Sequence, residues 1–176
     1  MMMTGIARGL CSILIIVSLV VSGCGVHFSG RKDDTPFPPD IKTIVVESAV
    51  NNTIVTGIET ELTNDLRDEF ALGTRLNPVR TGGDVSLKTV ISDYEDTPST
   101  YRADGKELTR IGTLKVHCSL EKEDSKKGLW SKDFSASNTY NVTDTITDTL
   151  GNRRRAISRM IKDLTPRVHR SMYDNF

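Results

Sequence analysis

The clearest hydrophobic pattern in the chain has a helical period. Between residues 56 and 72, apolar side chains recur every four positions, and acidic residues occupy the other sides. This spacing gives one apolar stripe and predicts an amphipathic helix. Thr56 and Glu59 have the spacing of a capping box, and Gly73 is expected to end the helix. The stripe consists of Ile58, Leu62, Leu66 and Phe70.

A second helical pattern covers residues 148–173 near the C-terminus. Pro166 lies inside it and predicts a kink or a break, because proline lacks the N–H and crowds the preceding turn. The cluster Arg153-Arg154-Arg155, with Arg159 and Lys162, either meets phosphate groups or is a solvated helix face. The core-facing stripe is Ile157, Met160, Ile161, Leu164 and Val168.

Between and before these helices, β-branched and alternating patterns predict strands. Pro78 indicates an edge strand, and the out-of-phase Val90 indicates a bulge or a second buried face. Cys118 falls on the apolar side of the longest alternating run, where a buried thiol is expected. The predicted strands are residues 41–47, 75–80, 84–94, 107–121 and 129–140.

The order of these elements is strand, helix, several antiparallel strands, helix. We therefore predict an α+β domain in which two helices pack on one face of a mostly antiparallel sheet of about four strands. The domain is expected to comprise residues 41–176, a length that suits a single core.

The N-terminus has the pattern of a lipoprotein signal. Arg8 precedes an apolar run from Leu10 to Val21, which is shorter than the roughly 20 residues that span a membrane. Small residues precede Cys24, so we expect cleavage after residue 23 and acylation of Cys24. The alternative is an ordinary secretory signal cleaved elsewhere. Residues 24–40, rich in Pro, Gly and charge, are expected to form the lipidated N-terminus and a tether.

The amino-acid composition gives no sign of nucleic-acid binding, metal binding or catalysis. Lys and Arg number 23, as do Asp and Glu, so no nucleic-acid-binding class is indicated. The three histidines, His27, His117 and His169, have no metal-ligand spacing and match no known nucleophile motif. We expect no catalytic residues, no metal, no cofactor and no enzymatic activity.

One predicted hairpin carries candidate binding chemistry. Arg102 lies between Tyr101 and a turn glycine, with Lys106 and Arg110 nearby. A guanidinium pairs with phosphate in a fork while an aromatic ring contacts an apolar chain, so such a tip suits an anionic amphiphile. Ordinary hairpin charges would give a similar pattern.

Several stretches of the chain resemble LptE, the lipopolysaccharide-assembly lipoprotein family. The resemblance covers nearly all of the chain after Cys24, although most of its motifs are short. Arg102 matches the arginine of an aromatic-Arg-x-Gly tip implicated in lipopolysaccharide contact, but this tip is one residue longer; Pro166 also departs from the uninterrupted last helix of the family. The similar stretches are residues 24–28, 39–46, 62–70, 96–98, 101–105 and 130–135.

The resemblance implies a non-catalytic lipoprotein on the periplasmic side of the outer membrane. It would plug an LptD-like β-barrel, assist the assembly of that barrel and bind lipopolysaccharide, with its N-terminal lipid in the membrane. Two alternatives remain: a periplasmic lipoprotein that activates a cell-wall synthase by protein contact, and a hydrolase of envelope polymer whose site is not visible in the sequence.

Overall fold

The computed structural model describes residues 37–73 and 75–174 of the chain, all within one compact unit. The signal segment and Cys24 lie outside the described residues. Both predicted helices and all five predicted strands form, and a two-residue strand is added after the first. In chain order the elements are β1 (Thr43–Val46), β2 (Val50–Asn51), α1 (Ile58–Leu72), β3 (Asn77–Val79), β4 (Val85–Tyr101), β5 (Glu107–Lys122), β6 (Gly128–Asn141) and α2 (Ile146–Asp174).

The sheet is mixed and has six strands, so the prediction of a mostly antiparallel sheet of about four strands is only partly confirmed. The strand order is β3-β1-β4-β5-β6, with β2 also paired to β4. β4, β5 and β6 are antiparallel as predicted, whereas β1 pairs in parallel with both β3 and β4. The crossover through α1 returns the chain to the end of the sheet where β1 started, so β3 runs parallel to β1. The connection from β3 then crosses β1, so that β4 runs in the same direction on its other side. β3 lies at the sheet edge, as Pro78 predicted.

The connection from β3 to β4 crosses the start of β1. Gly83 passes so close to that strand that a Cβ atom would lie 2.9 Å from Cγ2 of Val45. One oxygen of Asp84 then accepts hydrogen bonds from the backbone N–H groups of Lys42 and Thr43, both at 2.8 Å, and from the Thr43 hydroxyl at 2.7 Å. These bonds fix β4 beside β1.

The start of α1 differs from the predicted capping box. Gly57, in the left-handed region at φ 83°, occupies the N-cap position, and no side chain caps the helix. Glu59 nevertheless bonds backward, since its carboxylate accepts from the Gly57 N–H at 3.2 Å and from the Asn51 amide at 2.9 Å. Gly73 ends the helix as expected, with its N–H donating to the Glu69 carbonyl at 3.2 Å.

The core lies between the helices and one face of the sheet, and both predicted helical stripes are buried in it. Cys118 is buried there as a free thiol, as predicted, and burial raises its pKa to about 12. The core also includes Phe37, whose ring meets that of Tyr173 edge-on at 5.5 Å. Part of the segment expected to be a tether therefore packs against the domain. Within the described part of the chain, neither helix has the length and apolar character needed to cross a bilayer.

The second helix, α2, runs without a break through Pro166. Of the two predicted alternatives, the break is therefore wrong, and the kink stays a prediction. The proline removes a hydrogen bond to the carbonyl of Lys162, four residues earlier, and that residue is exposed to water. On the opposite side, Leu164 and Val168 are almost completely buried. Core packing on both sides of the proline therefore keeps the helix continuous.

Candidate functional site

The face of β4–β6 opposite the helices is polar, and no other element of the described residues covers it. On this polar face, the Lys115 ammonium pairs with Asp93 at 3.1 Å and with Glu95 at 2.6 Å. A register shift between Ile91 and Asp93 brings these acids to the same side as Lys115, and it confirms the bulge predicted from Val90. Other polar-face residues are Lys88, Thr113, His117, Ser119, Glu121, Ser131, Asp133, Ser135, Ser137 and Thr139.

Three polar-face residues form a hydrogen-bonded chain that sequence reasoning missed. His117 Nδ1 lies 2.7 Å from Asp133 Oδ1, and its Nε2 lies 3.0 Å from the Ser131 hydroxyl. These contacts depend on which residues of β5 and β6 face each other, and no sequence motif reveals that register. The side chains of His117 and Asp133 are 43% and 87% exposed. Hydrogen-bond donors stabilise a developing charge most strongly where water is excluded. These three side chains are open to water, so we assign their hydrogen bonds to the pairing of β5 with β6.

Toward the end of the sheet, the helix-side face becomes polar. The Arg110 guanidinium donates to Asp96 Oδ1 at 2.9 Å, to the Asp96 carbonyl at 2.8 Å and to Glu107 at 2.6 Å. The Tyr140 hydroxyl donates to the other Asp96 oxygen at 2.7 Å. The bond to Asp96 raises the pKa of Arg110, and burial, reinforced by Asp96, raises that of Tyr140. We call these four residues the carboxylate network.

The carboxylate network also connects the sheet to α2. The Arg153 Nε lies 3.6 Å from Asp96 Oδ2, and its guanidinium stacks over the Tyr94 ring at 4.9 Å. Tyr94 in turn lies against Gly112, where a Cβ atom would come within 2.7 Å of the tyrosine oxygen. Arg153 was assigned from sequence to the possible phosphate-binding cluster, but here it holds the helix on the sheet.

The hairpin between β4 and β5 places the three predicted binding residues in different environments. Arg102 is held by Asp144, with an N–O distance of 3.2 Å, and by the Val142 carbonyl at 3.4 Å. Arg110 points into the carboxylate network instead. Lys106 is exposed, and its ammonium group has no partner among the described residues. The structure therefore leaves Lys106 and part of Arg102 available at the tip.

Exposed apolar side chains accompany these cations; sequence reasoning identified Tyr101 among them and missed the others. Tyr101 is 60% exposed and Leu108 41%, while Ile146 and Leu150 at the start of α2 are 78% and 54% exposed. The strand and the helix start meet here, since the Val142 N–H donates to the Leu108 carbonyl at 2.9 Å. Helical spacing could have revealed this patch, because Leu150 and Ile146 continue the α2 stripe backward from residue 157.

The arrangement of two helices on one side of a mixed sheet places the chain in a class of small α+β domains known from bacterial lipoproteins. A protein of Xanthomonas campestris matches with a TM-score of 0.59 at 12% identity, over 77% of this chain and 85% of that one. Lipoprotein B of Nitrosomonas europaea gives 0.55 at 13%, covering 76% and 83%. Rare lipoprotein B of Shewanella oneidensis gives 0.51 at 12%, covering 73% and 92%. At such identities these likenesses show the fold alone.

The sequence itself settles the family. Residues 41–172 match the model of LptE, described as lipopolysaccharide-assembly. The chain therefore belongs to the LptE family, a non-enzymatic family of bacterial envelope lipoproteins, and the resemblance found in the sequence is confirmed. No curated protein matches the sequence.

Proposed function

We propose that this LptE-family chain is an outer-membrane lipoprotein that occupies the lumen of an LptD-like β-barrel, assists the assembly of that barrel and binds lipopolysaccharide. Acylated Cys24 is its anchor on the periplasmic side of the membrane, and the residues that follow it lead to the folded domain. The role is binding, and no reaction is assigned to any residue.

The observation that carries the proposal is the uncovered polar face. Its charges are largely paired within the sheet, and most of its remaining side chains are small hydroxyls, as in the contact between Thr113 and Ser137 at 2.9 Å. The interior of a transport barrel is polar and wet. A surface with paired charges and many hydroxyls contacts the inner surface of such a barrel through hydrogen bonds and bridging water. No unpaired charge is buried in that contact.

The tip provides the second part of the proposal. Lipopolysaccharide combines anionic groups with acyl chains, and the tip combines the cations of Arg102 and Lys106 with exposed Tyr101 and Leu108. A guanidinium or ammonium group binds the anionic part while the apolar side chains contact the hydrocarbon. Arg110 contributes indirectly, by holding the base of the hairpin.

The test is capture of the partner from native membranes. A photoreactive residue at Ser137, on the polar face, is expected to cross-link to a β-barrel protein, with a matched control at Thr60, an exposed position on α1. We expect the adduct from Ser137 to exceed that from Thr60. Purification of the chain in mild detergent without any β-barrel partner, and without a Ser137 adduct, would refute the proposal.

A further inference from the structure

The outward side of α2 carries a straight row of cations. Arg155, Arg159, Lys162 and Arg170 are all exposed. At 3.6 residues per turn they fall within an arc of about 80° around the helix axis and extend over about 22 Å. The buried stripe of α2, centred on Leu164, lies on the opposite side of the helix. We call these four residues the cationic ridge.

The ridge has little internal neutralisation. Among the described residues, the only hydrogen-bond partner of the Arg155 guanidinium is the neutral Asn152 amide, whose oxygen accepts at 2.6 Å. For Arg159, Lys162 and Arg170, the described residues provide no ion pair within 4 Å. Among the neighbouring acids, Asp163 pairs with Arg167 at 2.9 Å, and Asp148 and Asp174 lie at the helix ends. Asp65 on α1 is partly buried and interacts with the charge of Lys162, but the two groups form no ion pair within 4 Å.

The composition of the ridge distinguishes between possible partners. Protein interfaces are usually centred on apolar or aromatic anchors, with charge at the rim. No large hydrophobic side chain is exposed along the ridge, since those of the described chain lie elsewhere, as at Ile54, Leu72 and the tip. Insertion into a bilayer is also excluded, because the apolar side of α2 is in the core. A row of unpaired cations without anchors suits a flat anionic surface.

We propose that the cationic ridge docks the chain on anionic lipid headgroups. This inference does not depend on the barrel partner, and it concerns the chain before it engages one. The helices and the polar face are on opposite sides of the sheet, so docking through the ridge leaves the polar face turned away from the membrane. The bound state thus presents the polar face to an incoming partner.

The experiment uses the full chain, purified in detergent and reconstituted into vesicles of phosphatidylcholine, with or without about a third phosphatidylglycerol. The readout is the rate of Lys162 acetylation by mass spectrometry, with Lys127 in the β5–β6 turn as an exposed reference in the same molecule. We expect the anionic lipid to slow modification of Lys162 about tenfold, and that of Lys127 little. About 1 M salt should remove the difference, because screening then acts within about 3 Å.

A charge-reversed pair tests the ridge without altering the reporter lysine. Arg155→Glu with Arg159→Glu should abolish the protection of Lys162, and folding is expected to persist because both residues are exposed. The matched control, Lys42→Glu with Arg80→Glu, makes the same change in net charge at exposed positions outside α2 and should leave the protection intact.

Several outcomes would overturn the proposal. These are equal modification of Lys162 in neutral and anionic vesicles, and protection that survives in the ridge variant. If inorganic phosphate protects Lys162 from acetylation in neutral vesicles, the ridge binds a free anion and not a membrane. Protection found only in membranes that contain the barrel would assign it to an acidic protein surface. A failed barrel capture with intact protection would leave the ridge standing and refute only the proposed function.

Discussion

The two halves of the long sheet are held together by different forces. In the base half, which we define by the helix-side residues Leu87, Leu114 and Leu120, these side chains are completely buried beneath the helices. In the tip half, the corresponding positions on the same face are taken by Asp96 and Arg110 of the carboxylate network. The base therefore owes its stability to packing, and the tip to hydrogen bonds and charge. Substitutions in the base should therefore reduce stability most, those in the carboxylate network should reduce it less, and those of exposed tip cations should change binding instead.

The largest effect is expected for Leu114→Ala in the base half. Its side chain is 0% exposed, so truncation leaves a cavity and should lower the free energy of unfolding by about 3 kcal/mol. Denaturant unfolding measures the change. Thr113→Ala, one residue away on the polar face, is the control and should cost about 0.5 kcal/mol. Equal losses for the two variants would contradict the assignment of the core to the helix side.

A smaller loss is expected for Asp96→Ala in the tip half. The change removes the shared acceptor of Arg110 and Tyr140, whose distances to Asp96 are 2.9 and 2.7 Å, and should destabilise by about 2 kcal/mol. Glu95→Ala is the control, because its ion pair with Lys115 is half-exposed and should contribute well under about 1 kcal/mol. Hydrogen exchange should show the loss mainly in residues 93–112, and uniform loss of protection would mean that the halves are not separate.

These two residues also show what could be predicted from sequence. Leu114 was placed correctly, because alternation of apolar and polar residues fixes the face on which a side chain lies. The contacts of Arg110 could not be predicted in this way, because alternation does not reveal which strand is the neighbour, and its predicted role in binding stays a prediction. Its contacts follow from the register that puts it opposite Tyr140 and close to Asp96. For the same reason, the parallel pairing of β1 was missed, and so was the chain through His117.

In the base, the effect of acid can be tested at Asp84, whose carboxylate joins β4 to β1. Hydrogen bonds from the backbone of Lys42 and from Thr43 lower the pKa of Asp84 below its usual 3.8. The resulting stabilisation is fully present above the unfolded-state pKa and is lost as pH falls through the folded-state pKa. Asp84→Asn should therefore cost about 1.5 kcal/mol at neutral pH. The difference from the unsubstituted protein should begin to shrink below about pH 4, near the unfolded-state pKa, and should be lost as pH falls through the lower folded-state pKa of Asp84.

The control for Asp84 is Asp124→Asn. Asp124 is exposed and lies 3.8 Å from Lys122, so its stability difference should be small at every pH. Unfolding curves measured between neutral and acid pH provide the comparison. A cost for Asp84→Asn that does not depend on pH would show that the geometry of the turn, and not the charge of the carboxylate, joins β4 to β1.

The smallest effect on stability, and the most specific effect on function, is expected at the tip. Lys106→Ala and Arg102→Ala should each change the free energy of unfolding by less than about 0.5 kcal/mol. Each should weaken binding of purified lipopolysaccharide about fivefold at low salt, because one cation is lost from the contact.

Arg110→Ala should mainly affect stability, with a loss like that of Asp96→Ala. Its binding of lipopolysaccharide should change only because the hairpin is disturbed. If Arg102→Ala binds lipopolysaccharide as well as the unsubstituted protein does at low salt, Arg102 serves only to hold Asp144. Lys106 is then the only one of the two tip cations that contacts lipopolysaccharide. If Arg110→Ala loses binding at unchanged stability, the carboxylate network is itself part of the binding surface, and the division between a packed base and a binding tip fails.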